Sequence, residues 1–323
     1  MTHAIRIHHT GGPDVLSWEE VEIGHPGTGE VRIRHTAIGL NFIDTYYRSG
    51  LYPLPLPAIL GSEGAGVVLE VGPAVTEVHV GDRVAYAGPV GSYAEERLVS
   101  AHRLVPLPDD IDDRVAAAAM LKGMTAQYLL RRTHRVERGE TILLHSAAGG
   151  VGLIAAQWAR SLGATVIGTV STDEKAVLAR EAGCDHVVVT SRESFVTRVK
   201  EITGGAGVRV VYDAVGKDTF DGSLDCLAPL GLMVSFGNAS GAVPPVSPLV
   251  LAQKGSLFLT RPTLMTYTAK REDLLATAAD LFSVIRSGVV KVRIDAAYPL
   301  REAAAAHVAL EARRTTGSTV LLP

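Results

Sequence analysis

Short apolar runs interleaved with polar residues fill the first 120 or so positions: AIRIH (4–8), VRIRHTAIG (31–39), GAGVVLEVG (64–72) and RVAYAG (83–88), parted by Gly, Pro and Asp. A period of two puts alternate side chains on opposite faces of a strand. Strands this closely spaced predict an antiparallel or barrel-like, β-rich domain. The N-terminal MTHAIRIHHTGG alternates in the same way, has no apolar h-region, and reads as a strand rather than a leader. In YPLPLPA (52–58) Pro53, Pro55 and Pro57 remove alternate N–H donors, which predicts an extended surface loop.

From about residue 123 the rhythm changes. Continuous apolar runs stand at TILLH (141–145), TVIGTV (165–170), HVVV (186–189), VRVVYD (208–213), GLMVSFG (231–237) and SLFLT (256–260). Four of the five intervals between them carry helix-period segments, and the last, Pro-rich one does not. Six short buried strands alternating with helices predict an α/β fold with a doubly wound parallel sheet. REDLLATAADLFSVIRS (271–287) then reads as an amphipathic helix, and HVALEARRTTGSTVLLP ends in a strand that rejoins the first domain. The expected domains are 1–122, 123–264 and a return to the first over 265–323, with no internal repeat or low-complexity segment.

The chemistry starts at LLHSAAGGVGLIAAQWARSLG (143–163). Within AAGGVG, Gly149 and Gly152 occupy the second and third glycine positions of GxGxxG, and Ala147 replaces the first. The middle glycine lets backbone approach a pyrophosphate, and the last allows close packing of helix on strand. Val151, Ile154, Ala155, Trp158 and Leu162 follow on one helical face, with Gly163 as the C-terminal cap. Free N–H groups at such a helix start attract an anion. Following a strand and opening a helix, the motif predicts dinucleotide binding.

Composition narrows the class. The 323 residues are 47% hydrophobic and 20% charged, with a formal net charge of −3, which gives no field for nucleic acid or an anionic membrane. Arg131, Arg132, Arg135 and Arg138 cluster where cations complement a helix C-terminus. The two cysteines, Cys184 and Cys226, form no CxxC pair, which fits a reducing, cytoplasmic setting. No window reaches the length of a membrane span.

NAD sites place an acid about 20 residues after the glycine motif. Here Ser171 stands at that point, followed by Thr172, Asp173, Glu174 and Lys175. A hydroxyl with a lysine four residues later suits a 2′-phosphate, while Asp173 and Glu174 oppose one unless they open the next helix facing solvent. NADPH is the expected cofactor.

The segment GETILLHSAAGGVGLIAAQWAR resembles the signature of the zeta-crystallin-type quinone oxidoreductases, in the medium-chain dehydrogenase/reductase superfamily. AIGLNFIDTYYRSGLY, GSEGAGVV, LKGMTAQYLLR, EITGGAGVRVVYDAVG and LDCLAPLGLMVSFGNASGAV extend the resemblance over almost the whole chain. It implies a GroES-like catalytic domain built from both chain ends, a Rossmann domain, a cofactor in the cleft between them, and a homodimer. Carried over by position, Asn41, Phe42, Asp44, Thr45 and Tyr46 line the nicotinamide end, with Lys122, Thr125 and Tyr128 approaching from the second domain. Gly150 and Val151, beside the motif's Gly149, take the pyrophosphate, and Ser171, Thr172 and Lys175 the 2′-phosphate. Val215, Phe236, Gly237, Asn238, Leu264 and Arg313 complete the site. Thr190 stands where close relatives carry a tyrosine.

Alcohol-dehydrogenase relatives bind catalytic zinc through a Cys and a His where this chain has Asn41 and Ser62, and an amide with a hydroxyl does not replace them. No metal is expected, and the histidines read as surface or packing residues. Without a metal to polarise an alcohol, a conjugated acceptor is the easier substrate. The expected reaction is hydride transfer from NADPH to a quinone, with Asn41 and Tyr46 orienting nicotinamide and acceptor and Tyr46, Tyr52 or a bound water supplying the proton. Reduction of enones or 2-alkenals is the alternative. A non-enzymatic, RNA-binding, crystallin-like role is the third reading, opposed by the charge and by the lack of basic–aromatic interleaving.

Overall fold

The alternating N-terminal runs are strands in the computed structural model, which describes residues 2–323. They are β1 (Thr2–Ile7), β2 (Ser17–Val21), β3 (Glu30–Leu40), β4 (Ala58–Ile59), β5 (Glu63–Val71), β6 (Arg83–Ala87), β7 (Glu96–Ser100) and β8 (Val105–Pro106). Helices α1 (Phe42–Ser49) and α2 (Asp113–Tyr128) belong to the same stretch. Periodicity gives no warning of α1. Its start is set by Asp44, whose carboxylate accepts the Asn41 N–H at 2.9 Å, and its end by Gly50 in the left-handed region (φ 83°).

The later apolar runs are β9 (Thr141–Leu144), β10 (Thr165–Val170), β11 (His186–Val189), β12 (Val208–Asp213), β13 (Leu227–Ser235) and β14 (Phe258–Thr260). Between them lie α3 (Gly150–Ser161), α4 (Asp173–Glu181), α5 (Phe195–Ile202), α6 (Phe220–Asp225) and α7 (Pro248–Gln253). α8 (Leu264–Tyr267), α9 (Arg271–Arg286), β15 (Ile294–Pro299), α10 (Ala303–Glu311) and β16 (Ser318–Leu322) complete the chain.

The chain divides into two units. One comprises Met1–Met124, Thr268–Arg286 and Val292–Pro323; the other comprises Thr125–Tyr267 and Ser287–Lys291. In the first, a seven-stranded sheet runs β15-β16-β3-β5-β6-β8, with β7 also on β3, beside a three-stranded sheet β2-β1-β4. The C-terminal strand does rejoin the N-terminal part: Thr319, Val320 and Leu321 pair antiparallel with Leu40, Gly39 and Ile38. β3 shifts register against β5 at Arg32/Ile33 and again at His35/Ala37, bulges that bend a strand while it pairs with β7 early and β16 late. Val31, Ile33, Val68, Val84 and Tyr86 fill one core, and Ile5, Ile38, Leu60, Tyr93, Leu300 and Leu310 another.

The second unit is the doubly wound sheet, all parallel in the order β11-β10-β9-β12-β13-β14. This order reverses between β9 and β12, and the carboxyl ends flanking such a reversal form the ligand crevice of open α/β sheets. Ile142, Leu143 and Leu144 of β9 are buried, as a strand covered on both faces requires.

Three expectations need correction. The Pro-rich interval does hold a helix, α7, because Pro248 sits at its first turn, where a missing N–H costs nothing. The sixth run is buried only at Leu257: β14 spans three residues at the sheet edge, and Phe258 is 60% exposed. The buried band of α3 is wider than one face, since Leu153, Ala156 and Ala159 are buried while Val151 and Leu162 are half-buried.

Candidate active site

The residues expected at the pyrophosphate and the 2′-phosphate lie on the second unit. Two residues past β9, Ser146 takes a left-handed conformation (φ 55°) and its carbonyl accepts the Gly149 N–H at 2.9 Å, closing the turn. Gly149 caps α3 in extended conformation without a side-chain hydrogen bond, and no acid stands in the first turn. The first intrahelical bond is Leu153 N–H to the Gly149 carbonyl, 2.9 Å, so the amides of Gly150, Val151 and Gly152 precede the helical ladder. A methyl at Gly152 would lie 2.2 Å from the Ser146 carbonyl oxygen and 2.8 Å from Ala147 backbone. Gly152 therefore fixes how closely helix and strand approach, which places those amides at the strand end.

β10 ends at Val170, and the next helix is capped by Thr172, whose hydroxyl accepts the Lys175 N–H at 3.3 Å. Ser171, Thr172 and Lys175 thus surround one helix start. Asp173 and Glu174 open α4: Asp173 pairs with Arg192 at 2.8 Å, and Glu174 is fully exposed, its carboxyl held below the usual range by hydrogen bonds from its own backbone and Thr172.

At the ends of β12 and β13 the loops carrying Val215 and Phe236–Asn238 bind each other. The Phe236 N–H reaches the Asp213 carbonyl at 2.8 Å and Ser240 N–H the Val215 carbonyl at 2.8 Å. Asp213, missed in the sequence, anchors this pair. Buried, it accepts from the N–H of Val215 (2.8 Å) and Gly216 (3.0 Å) and from the hydroxyls of Thr219 (2.7 Å) and Ser223 (2.9 Å). The end of a buried strand followed by a glycine turn was the signal available for it. Thr125 and Tyr128 lie on the last turns of α2. Tyr128 stacks on Tyr267 with centroids 4.5 Å apart, and burial raises its hydroxyl pKa. Leu264 opens α8 and is buried.

The other group belongs to the first unit and centres on Glu63, also missed. Its carboxylate is fully buried: Oε1 accepts from Lys122 Nζ at 2.6 Å and Asn41 Nδ2 at 2.9 Å, and Oε2 from the Leu121 N–H at 2.7 Å. Gly39 makes room for it, because a methyl there would lie 2.2 Å from both Glu63 Oε1 and the Ala117 carbonyl oxygen. Asn41 and Lys122, 81 residues apart in sequence, are thereby held to one carboxylate.

Asp44 forms a second hub. It accepts from Ser62 Oγ (2.7 Å), Tyr93 Oη (2.9 Å) and the Asn41 N–H (2.9 Å). Burial pushes its pKa up to about 6 against these three donors, and the Glu63 charge adds to the rise. Behind it, Tyr93 Oη meets His307 Nε2 at 3.0 Å, and Arg48 donates to His307 Nδ1 at 3.0 Å and to Glu311. Arg48 can only donate, so Nδ1 accepts and the proton sits on Nε2. Burial and the Arg48 charge lower the His307 pKa to about 3, keeping it neutral.

Phe42 and Thr45 lie on the first turns of α1, Thr45 Oγ1 donating to the Phe42 carbonyl at 2.7 Å. The Tyr46 and Tyr52 rings meet edge-on, 5.3 Å apart. Arg313 follows α10 in a left-handed conformation and is exposed. The histidines read as packing residues include three buried, hydrogen-bonded ones, His35, His145 and His307.

The glycine-turn Rossmann unit, with a β-rich unit that gathers both chain ends, defines a medium-chain dehydrogenase/reductase. Residues 27–109 match the alcohol dehydrogenase GroES-like domain and residues 150–283 the zinc-binding dehydrogenase family. The chain is 57% identical to the quinone oxidoreductase of Pseudomonas aeruginosa, covering 100% of both chains. It is 51% identical to a 2-haloacrylate reductase of Burkholderia sp., covering 100% of this chain and 99% of that one. The crystal structure of Escherichia coli quinone oxidoreductase complexed with NADPH superposes with a TM-score of 0.98 at 50% identity, covering 99% of this chain and 100% of that one. The chain belongs to the quinone oxidoreductase family.

One matching family carries zinc in its description, and the residues here do not fit that ion. Asn41 and Ser62 both donate hydrogen bonds to carboxylates, and the Glu63 carboxylate is saturated by an ammonium and two amides. Zinc takes thiolate, imidazole or free carboxylate. Among the described residues, no three His, Cys, Asp or Glu side chains are grouped to hold a metal ion.

Proposed function

We propose that this chain is an NADPH-dependent quinone reductase. The observation that carries the reading is end-to-end identity of 57% with a quinone oxidoreductase, on a fold whose glycine turn leaves backbone amides at the carboxyl edge of the sheet. NADPH, when bound, supplies the hydride.

The chain's own residues bind and orient. Amides of Gly150 and Val151, beside Gly149, take the pyrophosphate at the positive end of α3. Ser171, Thr172 and Lys175 take the 2′-phosphate, with Asp173 and Glu174, both exposed, as the first residues of α4. Val215, Phe236, Gly237, Asn238, Leu264, Thr125 and Tyr128 shape the nucleotide side, and Arg313 adds a cation. At the nicotinamide end stand Asn41, Phe42, Asp44, Thr45, Tyr46 and Lys122, of which Asn41 and Lys122 are held by Glu63 and the start of α1 by Asp44. Asn41, fixed by Glu63, orients the acceptor, while the Tyr46 hydroxyl, backed by the Tyr52 ring, gives a proton to the reduced acceptor's oxygen. A conjugated acceptor delocalises the incoming charge, so a tyrosine suffices as acid.

The experiment follows NADPH absorbance with 1,4-benzoquinone and 9,10-phenanthrenequinone. Turnover above the blank is expected, and its absence with both refutes the reading. The 2-haloacrylate reductase among the relatives favours one second reading, hydride addition to an activated C=C bond. 2-Chloroacrylate and a 2-alkenal in the same assay separate the two.

The family reading carries a homodimer with it. β14 ends the parallel sheet, and Phe258, Leu249 and Leu230 are 60%, 63% and 57% exposed, a composition that fits edge-to-edge pairing with a second copy. Light scattering at twice the 34.1 kDa chain mass is expected; a monomer at micromolar concentration refutes the pairing.

A further inference from the structure

We propose that Arg192 reads the 2′-phosphate of the nucleotide, exchanging its present partner Asp173 for the phosphate. The inference rests on the NADPH reading above and adds a residue to it. β10 and β11 run parallel with Val170 opposite Val189. Thr190 doubles the tie, since its N–H and its hydroxyl both reach the Val170 carbonyl, at 2.9 and 3.1 Å. The turn that follows is therefore pinned beside Ser171 and Thr172, the point at which such folds sort NAD from NADP. Within that turn the Arg192 N–H bonds the Val189 carbonyl at 3.1 Å, and the guanidinium reaches across to Asp173, Nη1 lying 2.8 Å from the carboxylate.

This arrangement resolves a conflict in the sequence. Asp173 is an acid near the place where an NAD site wants one, and unpaired it would repel a 2′-phosphate. Paired, it brings a guanidinium there. The pair is exposed, Arg192 by 56% and Asp173 by 66%, so it contributes little and gives way to a stronger anion. A phosphate monoester carries about −1.5 to −2 charge and three acceptor oxygens, against one charge on the carboxylate. Its geometry matches the planar guanidinium fork. Asp173, once released, remains stabilised as the first residue of α4. Glu193, 3.9 Å from Arg192 Nε, does not compete strongly, because Arg198 also holds it at 3.4 Å. Thr190 spends its hydroxyl on the Val170 carbonyl.

The test uses calorimetric titration of the whole protein with 2′,5′-ADP and 5′-AMP, beside NADPH and NADH kinetics. Arg192→Gln is expected to weaken 2′,5′-ADP by about 10- to 100-fold, the size of a lost charge-assisted hydrogen bond, with 5′-AMP within about twofold. Arg192→Lys restores part of the preference, and Asp173→Asn leaves it intact or raises it. If wild type prefers 2′,5′-ADP and Arg192→Gln keeps that preference, or loses both ligands equally, Arg192 only ties the turn to α4 and the inference is wrong. If wild type shows no preference, the NADPH reading falls and takes this one with it.

Discussion

Replacing Glu63 by Gln is the sharpest test of how the proposed nicotinamide end is assembled. The carboxylate is fully buried and accepts three donors, one of them the ammonium of Lys122, itself only 7% exposed. An amide has one acceptor oxygen, so either its NH2 faces the Leu121 N–H, or it faces Lys122 and Asn41. Both orientations set donor against donor and leave Lys122 buried without a counter-charge. Removing one partner of a buried ion pair costs about 3–5 kcal/mol, whereas replacing both by apolar groups is often close to neutral. Glu63→Gln is therefore expected to lose ~4 kcal/mol, and Lys122→Met a similar amount by stranding the carboxylate. The double variant should lose well under the sum, with a coupling of roughly 2–4 kcal/mol. Denaturant midpoints of the four proteins at pH 7.5 give the cycle. Additive losses would refute the claim that these two charges depend on each other, and with it the account of how Asn41 and Lys122 are placed.

Two further outcomes follow from the same geometry. Gly152→Ala puts a methyl 2.2 Å from backbone that cannot yield, so it should cost about 1–3 kcal/mol in melting experiments and shift α3 enough to weaken NADPH binding more than tenfold; unchanged calorimetric affinity would contradict the amide cradle. Asp44 has a folded pKa of about 6 against 3.8 for an ordinary aspartate, so its contribution to stability is complete below 3.8 and is lost as pH rises through 6. Relative to Asp44→Asn, the wild type should therefore lose up to ~3 kcal/mol between pH 4 and pH 7.5, and a stability gap that does not move with pH would refute the buried-carboxylate account.

What the sequence determined by itself is local. Continuous apolar runs separated by helix-period segments defined the parallel sheet, because a strand covered on both faces needs no polar positions. AAGGVG and the Ser171–Lys175 stretch were legible because a helix start is made by four or five consecutive residues, whatever surrounds them. Asn41 and Lys122 could be pointed to only through the family resemblance. What holds them, Glu63 with Leu121, was decided by tertiary structure, as was the line from Asp44 through Tyr93 to His307 and Arg48, whose members stand 49, 214 and 259 residues apart. No periodicity encodes a hydrogen bond of that span, since each partner obeys only its own strand or helix. The same holds for Arg192: in sequence it is one more charge in a turn, and only the pairing of β10 with β11 carries it to Asp173. Solvation explains the difference, for burying a charge is costly enough that the fold must bring it a partner from wherever in the chain one can be found.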